Sequence, residues 1–215
     1  MSNLTLEIFL EDVASHQLTV NLDQDVYRDI TIKKPNDVHM HYNITTRPGF
    51  LMFSGDMGDF IFERTNDMFG FFRSEDEKYY INPGYWGEKV QAGEVSKFDS
   101  AIACDSVKQY LTNYLDDLDL SDSEDREKSK QALEAVNDFI GGNQHSGEFD
   151  FWTEINSWDA DDAGGLELSD FWEASTTAKT YHFIWACYAI VHAIKLYDGF
   201  KAQEQMIEAQ EQSHE

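Results

Sequence analysis

Apolar and polar positions change rhythm along this chain near residue 66. Leu4, Ile8 and Val13 fall at helical spacing and predict a short helix over 4–14. The period then drops to two. Leu18, Val20 and Leu22 alternate with polar residues, as do Ile30 and Ile32, and then Val38, Met40, Tyr42 and Ile44. Residues 49–53 and 60–62 are denser apolar runs. The links Lys34-Pro35-Asn36-Asp37, Arg47-Pro48-Gly49 and Gly55-Asp56-Met57-Gly58-Asp59 carry turn chemistry. Closely spaced strands with short links predict an antiparallel meander.

Beyond residue 66 the spacing becomes helical. Asn66 is placed to cap a helix carrying Met68, Phe69 and Phe72. Asn82-Pro83-Gly84 is a break, with Pro83 suited to the first turn of a helix through Val90. Residues 99–118 and 123–140 read as two helices, and Gly141-Gly142 ends the second. Residues 142–166 show no clear period. A long helix is expected from about Thr177 to beyond Gln205, with Phe183, Cys187, Ile190, Ile194 and Tyr197 as its apolar stripe. The expected fold is α+β: an N-terminal antiparallel sheet, built as a meander, and then a helical C-terminal half with one long terminal helix. The expected division is a sheet part with short helices over 1–95 and an acidic helical part over 96–215, with one continuous domain as the alternative.

Charge gives the second half its character. The formal net charge is −25, from 41 acidic and 16 basic residues in 215. Residues 1–110 carry a net of −8 and residues 111–215 a net of −17. Within the latter, 111–173 holds 18 acids against Arg126, Lys128 and Lys130. Such a field strains a compact state by self-repulsion. A strongly basic partner surface would repay that strain, and basic surfaces of this strength are most often built to neutralise phosphates. Helical carboxylates three or four apart lie about 5–6 Å from each other. Duplex DNA carries a phosphate every 3.4 Å or so along each strand. Rows of Asp and Glu therefore approximate a phosphate row. A merely solvating acidic face, or adaptation to salt, is the plainer reading. Clustered acids in an aromatic-rich chain, 14% Phe, Trp and Tyr, fit it less well.

The candidate partner-binding residues are Asp116, Asp117, Asp119, Asp122, Glu124 and Asp125, then Glu148, Asp150, Glu154, Asp159, Asp161 and Asp162. Phe149, Phe151, Trp152, Trp158, Phe171 and Trp172 interleave this field. Trp152 and Trp158 are taken as interface anchors, since aromatics at an acidic surface suit stacking by Arg. Packing in the core of an irregular segment is the competing expectation for all six.

Other chemistry is sparse. His39 and His41 stand two apart on an expected strand and would face one side, beside Asp37. A nuclease metal site would draw on Asp56 or Asp59 with Asp76-Glu77-Lys78, although a chain this acidic repels nucleic acid. His182 and His192 are ten apart on the last helix and do not share a face. Cys104 and Cys187 read as core residues rather than a disulfide. There is no Gly-rich phosphate loop, nucleophile elbow or metalloprotease motif. Residues 1–10 lack a basic n-region, and the most apolar stretch, 183–191, is too short to span a bilayer. A soluble, intracellular protein without a cofactor is expected.

The stretches Phe9-Leu10-Glu11-Asp12-Val13-Ala14, Arg47-Pro48-Gly49-Phe50-Leu51, Gly55-Asp56-Met57-Gly58, Asp67-Met68-Phe69-Gly70-Phe71-Phe72-Arg73 and Ile81-Asn82-Pro83-Gly84-Tyr85-Trp86 resemble a widespread group of uncharacterised bacteriophage and prophage accessory proteins. Residues 183–190 are similar in type to that group's C-terminal helix. The resemblance implies a setting, the cytoplasm of a bacterial host, and no functional residues. By charge and setting it is similar in logic to acidic DNA-mimic inhibitors of restriction and CRISPR systems. The expectation is a non-enzymatic inhibitor that covers the DNA channel of a basic nucleic-acid-binding host complex, without touching nucleic acid or membrane itself. A homodimer would double its acid face. The alternatives are an interaction module for another basic protein and a metal-dependent enzyme using His39, His41 or Asp56.

Overall fold

The computed structural model describes residues 4–73 and 79–212. They fall into two compact units, one made of the described residues up to Val95 and from Lys179 onward, the other of residues 96–178. Each has its own hydrophobic core.

In the first unit, α1 (Leu6–Val13) starts where the Thr5 side chain accepts from the Ile8 amide and buries Phe9 and Val13. Five strands follow: β1 (Gln17–Gln24), β2 (Tyr27–Lys33), β3 (Tyr42–Arg47), β4 (Phe50–Gly55) and β5 (Gly58–Glu63). The short β6 (Val90–Ala92) completes a six-stranded antiparallel sheet in sequential order. Register carries the buried face across it: Val20 lies opposite Ile30, Ile30 opposite Ile44, Ile44 opposite Phe53 and Phe53 opposite Phe60. The other face carries polar side chains alongside the exposed Met52, which lies opposite Thr45. There Asn21 donates to Asp29 and Thr31, Thr31 donates to Asn43, and Thr45 donates to Asp29.

Helices α2 (Met68–Phe72) and α3 (Pro83–Gly87) lie between β5 and β6 in sequence. The terminal helix, α7 (Tyr181–Gln212), belongs to this core and not to the acidic part. Phe183, Cys187, Ile190, Ile194 and Tyr197 are buried as their spacing predicts, and Trp185 and Ala186 with them. The Trp185 ring meets Phe9 and Tyr42 edge-on, at 5.1 and 5.4 Å between centroids. Burial on so many sides is why the helix follows no narrow stripe.

The second unit is helical. Helices α4 (Ser100–Asp116), α5 (Ser123–Asn143) and α6 (Glu148–Asn156) precede a 3₁₀ turn at Phe171–Glu173. Strands β7 (Ser96–Phe98) and β8 (Thr177–Lys179) pair as a separate two-stranded ladder. Phe151 sits at the centre of the core, with Phe98, Phe139 and Phe171 rings 5.4, 5.4 and 5.9 Å away.

The α+β meander stands as the sequence predicts, but several details differ. Val38 and Met40 lie in a turn before β3, where Met40 has φ +58°, so the alternation there is not a strand. Asp67, not Asn66, caps α2 and also takes Arg28. The Pro83 helix stops at Gly87 because Val90 is drawn into the sheet beside Phe62. Gly141 and Gly142 lie inside α5, which runs on to Asn143. The aperiodic 142–166 segment contains α6, and β8 precedes the terminal helix.

Candidate functional site: the acidic helical unit

Residues 96–178 carry 20 acids and 5 bases. The loop from α4 to α5 is built on some of these acids. Asp122 caps α5 by accepting from the Glu124 amide at 2.7 Å and the Asp125 amide at 3.3 Å. Asp119 accepts from the Ser121 amide and hydroxyl, at 2.9 and 2.7 Å. Asp125 accepts from the Asp119 amide. These donors hold the Asp119 and Asp122 carboxyls below the usual carboxylate range, so both stay charged. Arg126 folds back along the exposed loop and donates to the Leu120 and Ser121 carbonyls. Lys128 bridges Glu124 at 2.8 Å and Asp125 at 3.6 Å.

The sequence-predicted acids therefore divide. Asp119, Asp122, Glu124 and Asp125 hold the loop and the first turn of α5. Asp116 and Asp117 are exposed and have no partner among the described residues. On α6, Glu148 and Asp150 occupy the first turn, where the helix dipole favours them. Glu154 accepts from Asn143. Asp159 caps the following turn by accepting from the Asp161 amide, and Asp161 and Asp162 stay exposed and unpaired among the described residues.

The aromatics divide too. Phe151 and Phe171 are core. Phe149 and Trp172 are 82% and 70% exposed. Trp152 and Trp158 are half-buried and line a cleft of about 430 Å³ together with Trp172, Glu167, Asn156 and Ser169. The Trp158 indole N–H donates to the Leu166 carbonyl at 2.8 Å, which fixes that wall. Trp152 packs against Phe171 at 5.9 Å. The Tyr110 hydroxyl donates to the Asp170 carbonyl and steadies the 3₁₀ turn that carries Trp172. A second hollow of about 260 Å³ is lined by Trp158 with Glu154, Asp159 and Asp162. Trp158 is thus a wall common to the cleft that holds Trp152 and to a hollow lined by three of the predicted acids.

Glu167, an acid of the same field, and Trp172, one of the six interleaving aromatics, also line the cleft, although neither stands among the candidate partner-binding residues. Trp172 sits on a 3₁₀ turn and Glu167 on the irregular segment before it, and neither has a period that would show which face it takes.

The expected strand face for His39 and His41 does not exist; both lie in the 37–41 turn. His41 Nδ1 is 3.0 Å from Asp56 and 2.8 Å from the Val38 carbonyl, while Asp56 also accepts from the Met40 amide. These contacts tie one turn to another. Among the described residues, no three His, Cys, Asp or Glu side chains gather to hold a metal ion. Asp76-Glu77-Lys78 lies outside the described residues. No helix among them is long and apolar enough to cross a membrane.

The turns that carried the phage-group resemblance have structural work in the fold. A Cβ at Gly55 would lie 2.3 Å from the His41 carbonyl, so the close strand approach there needs glycine. Asn82 caps α3, and Trp86 is buried edge-on against Phe72. No protein-family profile, curated protein or solved structure matches the chain.

Proposed function

We propose that the 96–178 unit is the effector surface of a non-enzymatic inhibitor, and that it covers the nucleic-acid-binding face of a basic protein. The observation that carries this reading is the set of exposed, unpaired carboxylates, Asp116, Asp117, Asp161 and Asp162, on a unit that also leaves Phe149 and Trp172 uncovered. Solvated acids alone keep a protein soluble. Acids on a unit that also exposes aromatic side chains suit an interface directed at Lys and Arg. The field repels nucleic acid itself and suits a basic protein surface, of the kind that nucleic-acid-binding proteins present to phosphates. The sheet unit serves as scaffold. A bacterial defence complex of the restriction or CRISPR type is the target class that the sequence resemblance favours.

Association should be steered by charge, fast at low salt and weaker as salt rises. The test is capture of partners by the full chain from a nuclease-treated bacterial lysate, followed by assay of the captured protein's DNA binding across a salt series. Displacement of DNA supports the reading. A partner that keeps its DNA supports an interaction module without mimicry, and no salt-sensitive partner at all overturns both.

A further inference from the structure

The cleft on the 96–178 unit has an unusual lining for so acidic a protein. Three of the chain's five tryptophans, Trp152, Trp158 and Trp172, meet at one depression of about 430 Å³. That lies within the usual range for ligand sites, about 300–1,000 Å³. Its walls are fixed from behind: Trp158 by its bond to Leu166, Trp152 by its contact with Phe171, and the Trp172 turn by Tyr110. Trp172 is nevertheless 70% exposed, although the same turn buries Phe171 completely. Glu167 lines the cleft, is exposed, and has no ion pair among the described residues. No Lys or Arg among the described residues lines it.

We propose that this cleft receives an arginine side chain presented by a basic protein segment, with the guanidinium laid against indole faces and paired with the Glu167 carboxylate. The inference rests on the reading of this unit as a surface for a basic protein, and it names the feature that surface recognises. Tryptophan faces attract cations, and most strongly where water is partly excluded. Arginine fits better than lysine: its guanidinium is planar, weakly hydrated, able to stack, and able to meet a carboxylate with two parallel donors. A tryptophan cleft also suits stacked nucleobases. Here 20 acids against 5 bases on the same unit oppose any ligand that carries phosphates.

The test uses the full chain and two peptides of equal length, oligo-arginine and oligo-lysine, with tryptophan fluorescence and calorimetry as readouts. A short single-stranded oligonucleotide is the third probe. The arginine peptide should bind about tenfold more tightly than the lysine peptide, the scale of one cation–π contact with its ion pair. It should also perturb indole emission. Trp172→Ala and Glu167→Gln should bring the arginine affinity down toward the lysine value. Both positions are exposed, so the thermal midpoint should hold and a folding defect is separable. Asp116→Asn with Asp117→Asn should weaken both peptides equally. If both peptides bind alike and the cleft variants change nothing, the arginine site is overturned while the basic-surface reading stands. If neither peptide binds at low salt, both are overturned. Binding of the oligonucleotide in place of the peptides also overturns both.

Discussion

The Arg28 guanidinium meets the Asp67 carboxylate as a fork, with one N–H···O contact at 2.8 Å and a second at 3.4 Å. Arg28 is 8% exposed and lies over the rings of Phe69 and Tyr197, 4.7 and 5.6 Å from their centroids. Asp67 also caps α2 through the Phe69 amide. One pair therefore joins β2, α2 and α7. Asp67→Ala removes the cap and strands a largely buried cation, so it should cost about 2–3 kcal/mol. Arg28→Lys keeps the charge but loses the fork and the stacking, and should cost less. Urea denaturation of both variants checks the order.

Glycines at two places in the acidic unit should respond in opposite directions. Gly164 has φ +60°, and a Cβ there would lie 2.4 Å from the Lys128 carbonyl. Gly164→Ala should destabilise by at least about 1–3 kcal/mol. Gly141 lies inside α5 with nothing within 4 Å of a built Cβ. Gly141→Ala should stabilise by about 0.5–1 kcal/mol. Thermal midpoints of the two variants decide this.

His192 makes stability sensitive to acid. Burial, with His16 adding to it, lowers its pKa from 6.5 to about 4. The unfolded imidazole therefore takes up its proton first as pH falls. The contribution of neutral His192 is whole above about 6.5 and is lost between about 6.5 and 4, with a full extent of roughly 3 kcal/mol. Relief of carboxylate repulsion acts the other way, so the comparison must be with His192→Asn, which retains a hydrogen-bonding group for the Tyr79 hydroxyl, 2.8 Å away in the native chain. The stability gap between wild type and variant should narrow as pH falls from 7 to 4. A constant gap would count against a neutral buried imidazole.

The acids of the α4–α5 region should separate fold from function. Asp122→Ala removes a cap and should cost about 1 kcal/mol. Asp116→Asn with Asp117→Asn removes unpaired charge from a crowded field, so stability at low salt should hold or rise while partner affinity falls. Equal loss of stability in both variants would mean that Asp116 and Asp117 serve the fold.

Much of the sheet was legible because one face is buried and its period is two. Ile30, Ile32, Tyr42 and Ile44 sit where alternation put them. Reading failed where a tertiary partner overrides local pattern. Val90 joins a strand because Phe62 lies opposite, and α5 carries Gly141 and Gly142 because Asn143 beyond them is buried. Of the site, the acids were legible as charge, but their division into caps and free carboxylates was not. That division depends on which backbone amides each side chain meets. The cleft was half legible: Trp152 and Trp158 stood out, whereas Glu167 and Trp172 reach it through an aperiodic loop.

The most direct measurement is a competition titration. Labelled duplex DNA bound to a captured basic partner is titrated with the full chain, and in parallel with the chain carrying Asn at 116, 117, 161 and 162. The account predicts release of DNA near stoichiometric addition of the wild type, suppression of release by added salt, and little release by the neutralised variant. DNA that stays bound while the wild type binds its partner, or equal release by the variant, would contradict it.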